Sequence, residues 1–453
     1  MSTIRISEFL GMLPRVHPLQ LPDGCAVKAY NCTLYNGKIS PLRQPVVSSF
    51  PVRMENGLTA IGDARSLYVW TRGGTREMLA WPGVVKVATS NIADDDRYRI
   101  FVTGETGIGA GGKEPAVYAV ASGGTDFTRT SIVKVPLPQP YLGNSAAVGT
   151  FRYTVFFQTW VDAFGYMSGP SAPSSQVQYV DGQPIVVGAV DAPSGAVLRR
   201  LWKVVSGTET ESIQFVWEQA KVNDSFPTAF FTIADADAGE ILPEFESPPV
   251  DLAWMTFVPG NYYVGISAST PKTVMFTAQG YPTSWPLDYR YDVRDPVVGI
   301  AVCGNSVVVL TTGAPWLLSG TTPGTMAASV LQSEQACVSP YSICTMDGAA
   351  FYVSKDGICM VAPSGNYPLL VQNVTEKMFG KREWEALNPS SCIMQAYDGA
   401  LHAWFTLTTG QNVGYIFKFA DGAAAVTSHD EVARAAYYDP ETDGLYYVRE
   451  VGS

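Results

Sequence analysis

The chain has 453 residues, a formal net charge of −11, 46% hydrophobic residues and only 16% charged residues. Such a composition supports a large buried core and excludes a disordered chain, and the acidic balance argues against a surface that grips nucleic acid. We find no run of about 18 apolar residues and no signal-like hydrophobic region around Arg5 and Glu8, so we expect neither a transmembrane helix nor a secretory signal.

The cysteines indicate free thiols. Their number is odd, and none forms a C-x-x-C pair, so we expect buried, unpaired thiols of a protein made in a reducing cytoplasm. The seven positions are Cys25, Cys32, Cys303, Cys337, Cys344, Cys359 and Cys392.

Residues 1–50 differ in composition from the rest. Prolines recur there, and two short apolar segments, Ala26–Leu34 and Lys38–Leu42, flank Asn36-Gly37. Asn-Gly favours a two-residue hairpin because both positions tolerate positive φ. We therefore expect an extended N-terminal arm with a hairpin, packed on its own body or on a neighbouring subunit.

Residues 51–145 and 250–453 share one rhythm, in which short apolar segments are separated by Gly-containing turns. The clearest example is Val297–Gly320, VVGIAVCGNSVVVLTTGAPWLLSG, where three apolar runs are separated by Gly-Asn-Ser and Thr-Thr-Gly-Ala-Pro. This pattern is typical of antiparallel strands joined by tight hairpins. Only Glu376–Leu387 has a helical pattern.

Residues 146–248 have longer strands, beginning with the alternating segment Arg152–Val161, and Ser247-Pro248-Pro249 resembles a linker. About seven strands in 100 residues suit an immunoglobulin or fibronectin-III sandwich. The remaining 300 or so residues, at about 40–50 per blade, give about six blades. The predicted fold is therefore all-β: a roughly six-bladed β-propeller (residues 51–145 and 250–453) with an N-terminal arm (1–50) and an inserted sandwich (146–248).

The sequence offers only weak signals for catalytic or ligand-binding residues. Gly107 to Lys113 approaches a phosphate-binding loop, but Glu114 replaces the Ser or Thr that holds Mg²⁺, and we expect a flexible loop. The three histidines, His17, His402 and His429, show no metal-ligand spacing, and no nucleophile elbow is visible. We therefore predict no catalytic, cofactor-binding or metal-binding residues.

The acidic and aromatic candidates also favour structural roles. Asp94-Asp95-Asp96 and Asp235-Ala-Asp237 lack the ligand series of a calcium loop, so solvated turns are expected. Ser354-Lys-Asp-Gly is the nearest fragment to a sialidase turn, and it does not recur. Trp285 and Trp316 could form a ligand surface, but blade packing is the commoner role of such residues.

Two segments resemble the tail tubular protein B, or nozzle, family of short-tailed bacteriophages. One is Gly11–Pro45, with its Pro-rich turn, Pro-Asp, alternating segment and final basic residue and Pro. The other spans Asn261–Gly365 and contains TVMFTA, GYPTSWPLDY, Asp295-Pro296, the apolar hairpin and FYVSKDGI. RYTVFFQTWVDAFGYMSGPSAPSS also looks like an inserted domain of related virion proteins.

The resemblance implies a non-enzymatic subunit of a phage tail. It implies a ring, expected to be a homo-hexamer, that lies below a tail adaptor, contacts fibres or spikes, and passes the exiting double-stranded DNA close to the bacterial outer membrane. Assembly would take place in the host cytoplasm. We further hypothesise that acidic side chains line the lumen and prevent the duplex from sticking.

Two alternatives stay open from the sequence. One is a host-surface-binding or glycan-degrading propeller protein of the virion, which a fixed pair of carboxylates in an open cleft would favour. The other is a stopper, scaffold or fibre-attachment protein elsewhere in the particle.

Overall fold

The computed structural model describes residues 8–35, 37–105, 113–120, 126–144, 148–206, 211–233, 237–362, 371–420 and 423–449. The described chain is nearly all β, with one short helix, α1 (Lys381–Ala386). The N-terminal arm carries four short strands: β1 (Gly11–Met12), β2 (Cys25–Ala26), β3 (Cys32–Tyr35) and β4 (Lys38–Pro41). The pairing of β3 with β4 confirms the hairpin predicted around Asn36-Gly37.

Two small sheets follow the arm. Sheet 1 has the order β5-β7-β6, and sheet 2 is a four-stranded antiparallel meander. Their strands are β5 (Val52–Met54), β6 (Ser66–Arg72), β7 (Thr75–Trp81), β8 (Lys86–Thr89), β9 (Ile100–Thr103), β10 (Ala116–Val120) and β11 (Phe127–Ser131).

The next nine strands form a separate layered unit, the insert. They are β12 (Phe151–Thr154), β13 (Phe156–Asp162), β14 (Val177–Val180), β15 (Gln183–Val187), β16 (Val190–Asp191), β17 (Ala196–Ser206), β18 (Glu211–Ala220), β19 (Ser225–Phe226) and β20 (Ala229–Ile233). Sheet β13-β17-β18 packs against the pairs β12-β14 and β15-β20 over a core that includes Phe156, Tyr179, Leu201 and Phe231. The insert therefore has its own hydrophobic core.

The chain then returns to small sheets, which we number 3 to 7. Four of them are four-stranded meanders, and sheet 7 has two strands. Their strands are β21 (Leu252–Val258), β22 (Tyr262–Ser267), β23 (Thr273–Phe276) and β24 (Arg290–Asp292) in sheet 3; β25 (Val297–Cys303), β26 (Ser306–Thr311), β27 (Trp316–Ser319) and β28 (Ala327–Val330) in sheet 4; β29 (Cys344–Met346), β30 (Ala349–Val353), β31 (Ile358–Val361) and β32 (Val371–Asn373) in sheet 5; β33 (Ile393–Tyr397), β34 (Ala400–Thr406), β35 (Asn412–Ala420) and β36 (Ala423–His429) in sheet 6; and β37 (Ala433–Asp439) and β38 (Gly444–Arg449) in sheet 7.

Seven apolar clusters join these sheets into a closed circuit. Each sheet shares one cluster with the next sheet in chain order, from sheet 1 and sheet 2 onward. The seventh cluster joins sheet 7 to sheet 1, with Ala435 and Val448 packed against Val69 and Met78. The hydrophobic core of the circuit is therefore divided among seven interfaces between sheets.

Strand β26 shows why the apolar runs of this chain are continuous. Val307 and Val309 point into the interface with sheet 3, whereas Val308 and Leu310 point into the interface with sheet 5. Successive side chains of a strand point to opposite faces, and here both faces are buried. The sequence VVVL is therefore apolar at every position, where a sheet with one solvent-exposed face would alternate.

The insert is anchored to the circuit by a buried ion pair. Lys134, which follows β11, donates from Nζ to Oδ2 of Asp162 at 2.6 Å, and both side chains are 2% exposed. The other carboxylate oxygen accepts hydrogen bonds from the backbone N–H groups of Phe164 and Tyr166, each at 2.9 Å. Tyr166 in turn packs into the cluster between sheets 2 and 3.

Three sequence-based expectations need correction. The described ranges contain seven sheets in the circuit, whereas about six blades were expected, because sheets 1 and 7 have only three and two strands and use few residues. The segment Arg152–Val161 is not one strand but two: β12 pairs with β14, and β13 pairs with β17. The helix begins at Lys381 rather than Glu376, after Gly380, whose N–H donates to the Glu383 carboxylate at 2.7 Å.

Candidate functional site

The N-terminal arm docks on the outer strand of sheet 6. Asn31 donates its N–H to the Ser428 carbonyl, and Ser428 donates its N–H to the Ala29 carbonyl, each at 2.8 Å. Met12 and Ala29 are buried in the cluster between sheets 5 and 6. This part of the arm therefore packs on its own body.

The end of the arm, just before sheet 1, is exposed and carries apolar side chains. Residues 42–51 contain no strand, and Val46 and Val47 are 92% and 94% exposed. Of the 24 exposed large hydrophobic side chains in the described ranges, 13 lie in the arm (residues 1–50) or the insert (residues 146–248), which together are about a third of the chain. Exposed apolar side chains are therefore enriched in the arm and the insert, although the circuit exposes some as well.

A shallow pocket of about 590 Å³ lies on the insert. It is lined by Phe215, Trp217, Arg200, Glu218 and Glu240. Arg200 contacts both carboxylates, at 3.4 Å to Glu218 and 3.2 Å to Glu240. A glycosidase needs two carboxylates in different environments, one protonated and one ionised, and here one guanidinium serves both.

A second cavity, of about 520 Å³, lies where the inner strands of six sheets converge; we call it the central cavity. Its lining comes from β8, β21, β25, β29, β33 and β37 and from the residues beside them. About half of the lining side chains are apolar, including Phe257, Ile300 and Ile343. Lys86 is the one lining residue with a formal charge among those that the structure describes.

Lys86 is held over an indole ring. Its Nζ lies 5.6 Å from the centre of the Trp254 ring, a cation–π distance. Trp254 has a φ of +58°, which a bulky side chain rarely adopts, at a bulge in the pairing of β21 with β22. A Cβ on Gly299 would come within 2.6 Å of the indole, so only glycine leaves room for it there.

Two of the three histidines come together, although their sequence spacing gives no sign of it. His402 and His429 flank Trp404, whose ring centre is 6.2 Å from that of His402 and 6.3 Å from that of His429. Burial lowers the pKa of both imidazoles to about 4. His17 is remote and exposed, and its Nδ1 accepts a hydrogen bond from the N–H of Leu19 at 3.3 Å.

In the acidic turn Asp94 to Asp96, Asp94 and Asp96 are exposed as expected, whereas Asp95 is not solvated. The Asp95 carboxylate is largely buried, accepts hydrogen bonds from the N–H groups of Arg97 and Arg99, and forms an ion pair with the Arg99 guanidinium at 3.1 Å. Its lone pairs are therefore occupied within the turn. Asp237 is exposed, and Asp235 lies outside the described residues.

The glycine-rich candidate, Gly107 to Gly112, also lies outside the described residues. The residues on either side are occupied structurally. Glu105 is fully buried and accepts from Trp81 Nε1 at 3.0 Å, and Lys113 pairs with Glu55 at 3.1 Å. Strand β10 follows Pro115, as expected, in place of the helix that a phosphate-binding loop requires.

The tryptophan, serine and cysteine candidates have packing roles. Trp285 is fully buried between sheets 2 and 3, which confirms its assignment to the core, and Trp316 is partly buried beside sheet 3. Ser354 is buried and its hydroxyl donates within its own turn to the Gly357 carbonyl at 3.0 Å. All seven cysteines are free, and burial raises the pKa of Cys303 to about 11.

Across the described ranges, no cluster of three or more His, Cys, Asp or Glu side chains is placed to hold a metal ion. In the part of the chain that the structure covers, no helix is long and apolar enough to span a membrane.

Sequence reasoning missed the residues of the central cavity. Lys86, Gln395 and Tyr437 come from three strands spread over about 350 residues, and Trp254, whose ring contacts Lys86, comes from a fourth. None of these residues belongs to a motif. The one available signal was Gly299 inside an apolar strand, which indicates a close approach by another group.

Comparisons with known proteins leave the chain without a family. No protein-family model and no curated protein matches it. Solved structures that resemble it include apo AztD from Citrobacter koseri (8% identity, 60% of this chain and 70% of that chain, TM-score 0.28). Others are the WD40 domain of SCAP from fission yeast (9%, 62% and 68%, 0.24) and a puromycin-hydrolyzing peptidase of Mycobacterium tuberculosis (12%, 81% and 50%, 0.29). These likenesses are too remote to carry an argument about fold or function.

Proposed function

We propose that this chain is a non-enzymatic structural subunit of the tail of a short-tailed bacteriophage. Copies of it assemble into a ring, expected to contain six subunits, whose channel passes the genome during ejection. The proposal rests on the resemblance of Gly11–Pro45 and Asn261–Gly365 to the nozzle family. The observation that carries it is the enrichment of exposed apolar side chains in the arm and the insert.

In this proposal the fold is a β-propeller whose blades are the seven sheets of the circuit. It therefore has seven blades rather than six, and such a fold suits the proposed role. The insert is an immunoglobulin- or fibronectin-III-like sandwich, because two antiparallel layers enclose a core of inward-facing side chains. A propeller closes through its own blade interfaces. Surfaces outside the circuit are therefore available for contacts between subunits.

The segment 42–51 is the best candidate for such a contact. Two adjacent valines with more than nine-tenths of their surface exposed are unfavourable in a monomer, and burial of each would contribute roughly 1.5–3 kcal/mol. The occupant we assign is a second copy of the chain. A closed ring needs a heterologous contact of this kind, in which a segment of one subunit covers a different surface of the next.

The other partners follow from the tail position. The ring binds a tail adaptor on its portal side and fibres or spikes on its outside, and it contacts the exiting double-stranded DNA transiently. Its distal end comes close to the bacterial outer membrane. The location of the protein is then the virion tail, after assembly in the host cytoplasm.

The experiment compares the assembly state of point variants. Purified wild-type protein, alone and with its adaptor, should form rings that are visible by negative-stain microscopy and measurable by native mass spectrometry. The double variant Val46→Glu/Val47→Glu should remain monomeric because a charge cannot be buried in an apolar contact. Leu287→Glu, a change at a 62% exposed position of the circuit, is the matched control and should assemble normally.

Point variants are preferable to deletion of residues 1–45, because Met12 and Ala29 belong to the core between sheets 5 and 6. A wild-type protein that stays monomeric with its adaptor would contradict the proposed ring. Normal assembly of the double variant would exclude segment 42–51 as the contact.

A second candidate function has one feature in its favour. The insert pocket places two aromatic rings, Phe215 and Trp217, beside Glu218 and Glu240 on an open surface, and this composition suits a host-surface glycan. Glycan-array binding that is lost in Trp217→Ala would support it. Glycan turnover by the purified protein would support the enzymatic form of this alternative and contradict the non-enzymatic assignment.

A further inference from the structure

The central cavity contains a cation without an anion. Lys86 forms no ion pair in the described chain, and its neighbours are the Trp254 ring and the Cys344 thiol. Lys86 is half-buried, and a partly desolvated charge without a partner is unfavourable. Burial accordingly lowers the pKa of the Lys86 ammonium.

The position of the Lys86 side chain is fixed by the residues around it. Trp254 adopts a left-handed backbone conformation, and Gly299 leaves space for its indole. Strained backbone of this kind is concentrated at functional sites, where the strain fixes a group in position. Here it places the indole face below the Lys86 ammonium.

Two further polar groups of the cavity have no partner. The Gln395 amide and the Tyr437 hydroxyl line the cavity, and neither forms a hydrogen bond with another described residue. Tyr437 is held by its contact with Tyr68, with ring centres 5.2 Å apart. The cavity thus offers the Lys86 cation, the Gln395 amide and the Tyr437 hydroxyl from three different sheets, beside the hydroxyl groups of Thr256, Thr345 and Tyr438.

Much of the remaining wall is apolar. Phe257, Ile300 and Ile343 contribute side chains, and the volume of about 520 Å³ lies within the usual range of small-molecule sites. We propose that the central cavity binds a small organic monocarboxylate, whose carboxylate pairs with Lys86 and whose apolar body contacts Phe257 and Ile300. This inference does not depend on the proposed role in a phage tail.

The charge favours a carboxylate over a phosphate. Lys86 supplies one positive charge, which a carboxylate balances. A phosphate monoester carries roughly −1.5 to −2 near neutral pH and would leave part of its charge uncompensated in a partly apolar cavity. Phosphate sites also commonly use arginine forks, and no arginine lines the cavity among the described residues.

The test is calorimetric titration of the full chain with sodium hexanoate and sodium benzoate. 1-Hexanol, which keeps the apolar body without the charge, and inorganic phosphate, which keeps charge without the apolar body, are the comparison probes. We expect at least one carboxylate to bind saturably, and both comparison probes to bind at least about ten-fold more weakly, as loss of a charge-assisted hydrogen bond predicts.

Lys86→Met should weaken carboxylate binding by about ten-fold or more, while Lys355→Met, at an exposed turn, should leave it unchanged. A measurement on the wild-type protein removes any dependence on the folding of the variant. Acetylation by an amine-reactive ester, followed by peptide mapping, should label Lys86 and be blocked by the bound carboxylate. Absence of saturable binding by both carboxylates, equal binding by Lys86→Met, or phosphate or hexanol binding as tight as the carboxylates would overturn the proposal.

Discussion

The ion pair between Lys134 and Asp162 gives the sharpest test of how the insert is held. Substitution Lys134→Met removes the ammonium group and leaves the Asp162 carboxylate 2% exposed, with only two backbone N–H donors. Breaking a buried pair from one side typically costs about 3–5 kcal/mol, because the remaining charge stays buried without compensation. We expect a loss of stability in that range.

The double variant Lys134→Met/Asp162→Asn separates the charge effect from packing. The asparagine oxygen keeps the hydrogen bonds to the N–H groups of Phe164 and Tyr166, and no charge remains buried. We therefore expect the double variant to be more stable than the single one by about 2 kcal/mol or more. Guanidinium unfolding, followed by circular dichroism, measures both variants.

An exposed pair supplies the control. Arg294 is 73% exposed and pairs with Asp295 at 3.1 Å, so Arg294→Met should cost less than about 1 kcal/mol. A loss of under about 1 kcal/mol for Lys134→Met, or a double variant no more stable than the single one, would show that the pair does not anchor the insert.

Three further predictions concern the circuit and the arm. Burial lowers the pKa of His429 to about 4, so the unfolded chain takes up the proton first as the pH falls. The stability that depends on His429 should be fully present above pH 6.5 and decrease by up to about 3 kcal/mol toward pH 4, and His429→Gln should remove this share of the measured pH dependence, while the share of His402 remains. Gly299→Val should cost about 1–3 kcal/mol in chemical unfolding, because its Cβ would lie 2.4 Å from a neighbouring methyl group, whereas Gly62→Ala, with no atom within 4 Å, should be neutral. Native thiol labelling at pH 8 should modify only Cys25 and Cys32, the two cysteines that are not buried, and mass spectrometry should find all seven labelled after denaturation.

The local structure of the circuit could be predicted from the sequence because its signals are local. In Val297–Gly320 the turns at Gly304 and at Gly313 mark the ends of β25, β26 and β27, and the observed strands agree with the three apolar runs. The weak outer strands, such as β28 (AASV), were missed because all four of their side chains are exposed and carry no apolar pattern. The number of sheets was underestimated for a related reason: sheets 1 and 7 are short and depend on their neighbours for burial.

The central cavity could not be predicted from the sequence. Lys86 lies in KVAT, a segment with no unusual feature, and its surroundings come from strands up to 350 residues away. The left-handed conformation of Trp254 violates the local preference of a bulky residue, and tertiary packing alone accounts for it. The residue with the unusual backbone conformation, Trp254, lies beside the unpaired Lys86 ammonium. This coincidence makes the cavity the strongest candidate for a ligand site.

The cavity also limits where a genome could pass. The central cavity, lined by side chains of six inner strands, has a volume of about 520 Å³. A sphere of that volume is roughly 10 Å across, which is less than the width of the major groove alone, about 12 Å, and therefore too narrow for a DNA duplex. A DNA channel must therefore lie between copies of the chain, and the hypothesis of an acidic lumen concerns the outer surfaces of the subunits rather than the cavity that contains Lys86. A structure of the assembled ring decides the point: a net negative lumen agrees with the proposed role, and a net positive lumen would bind the duplex and contradicts it.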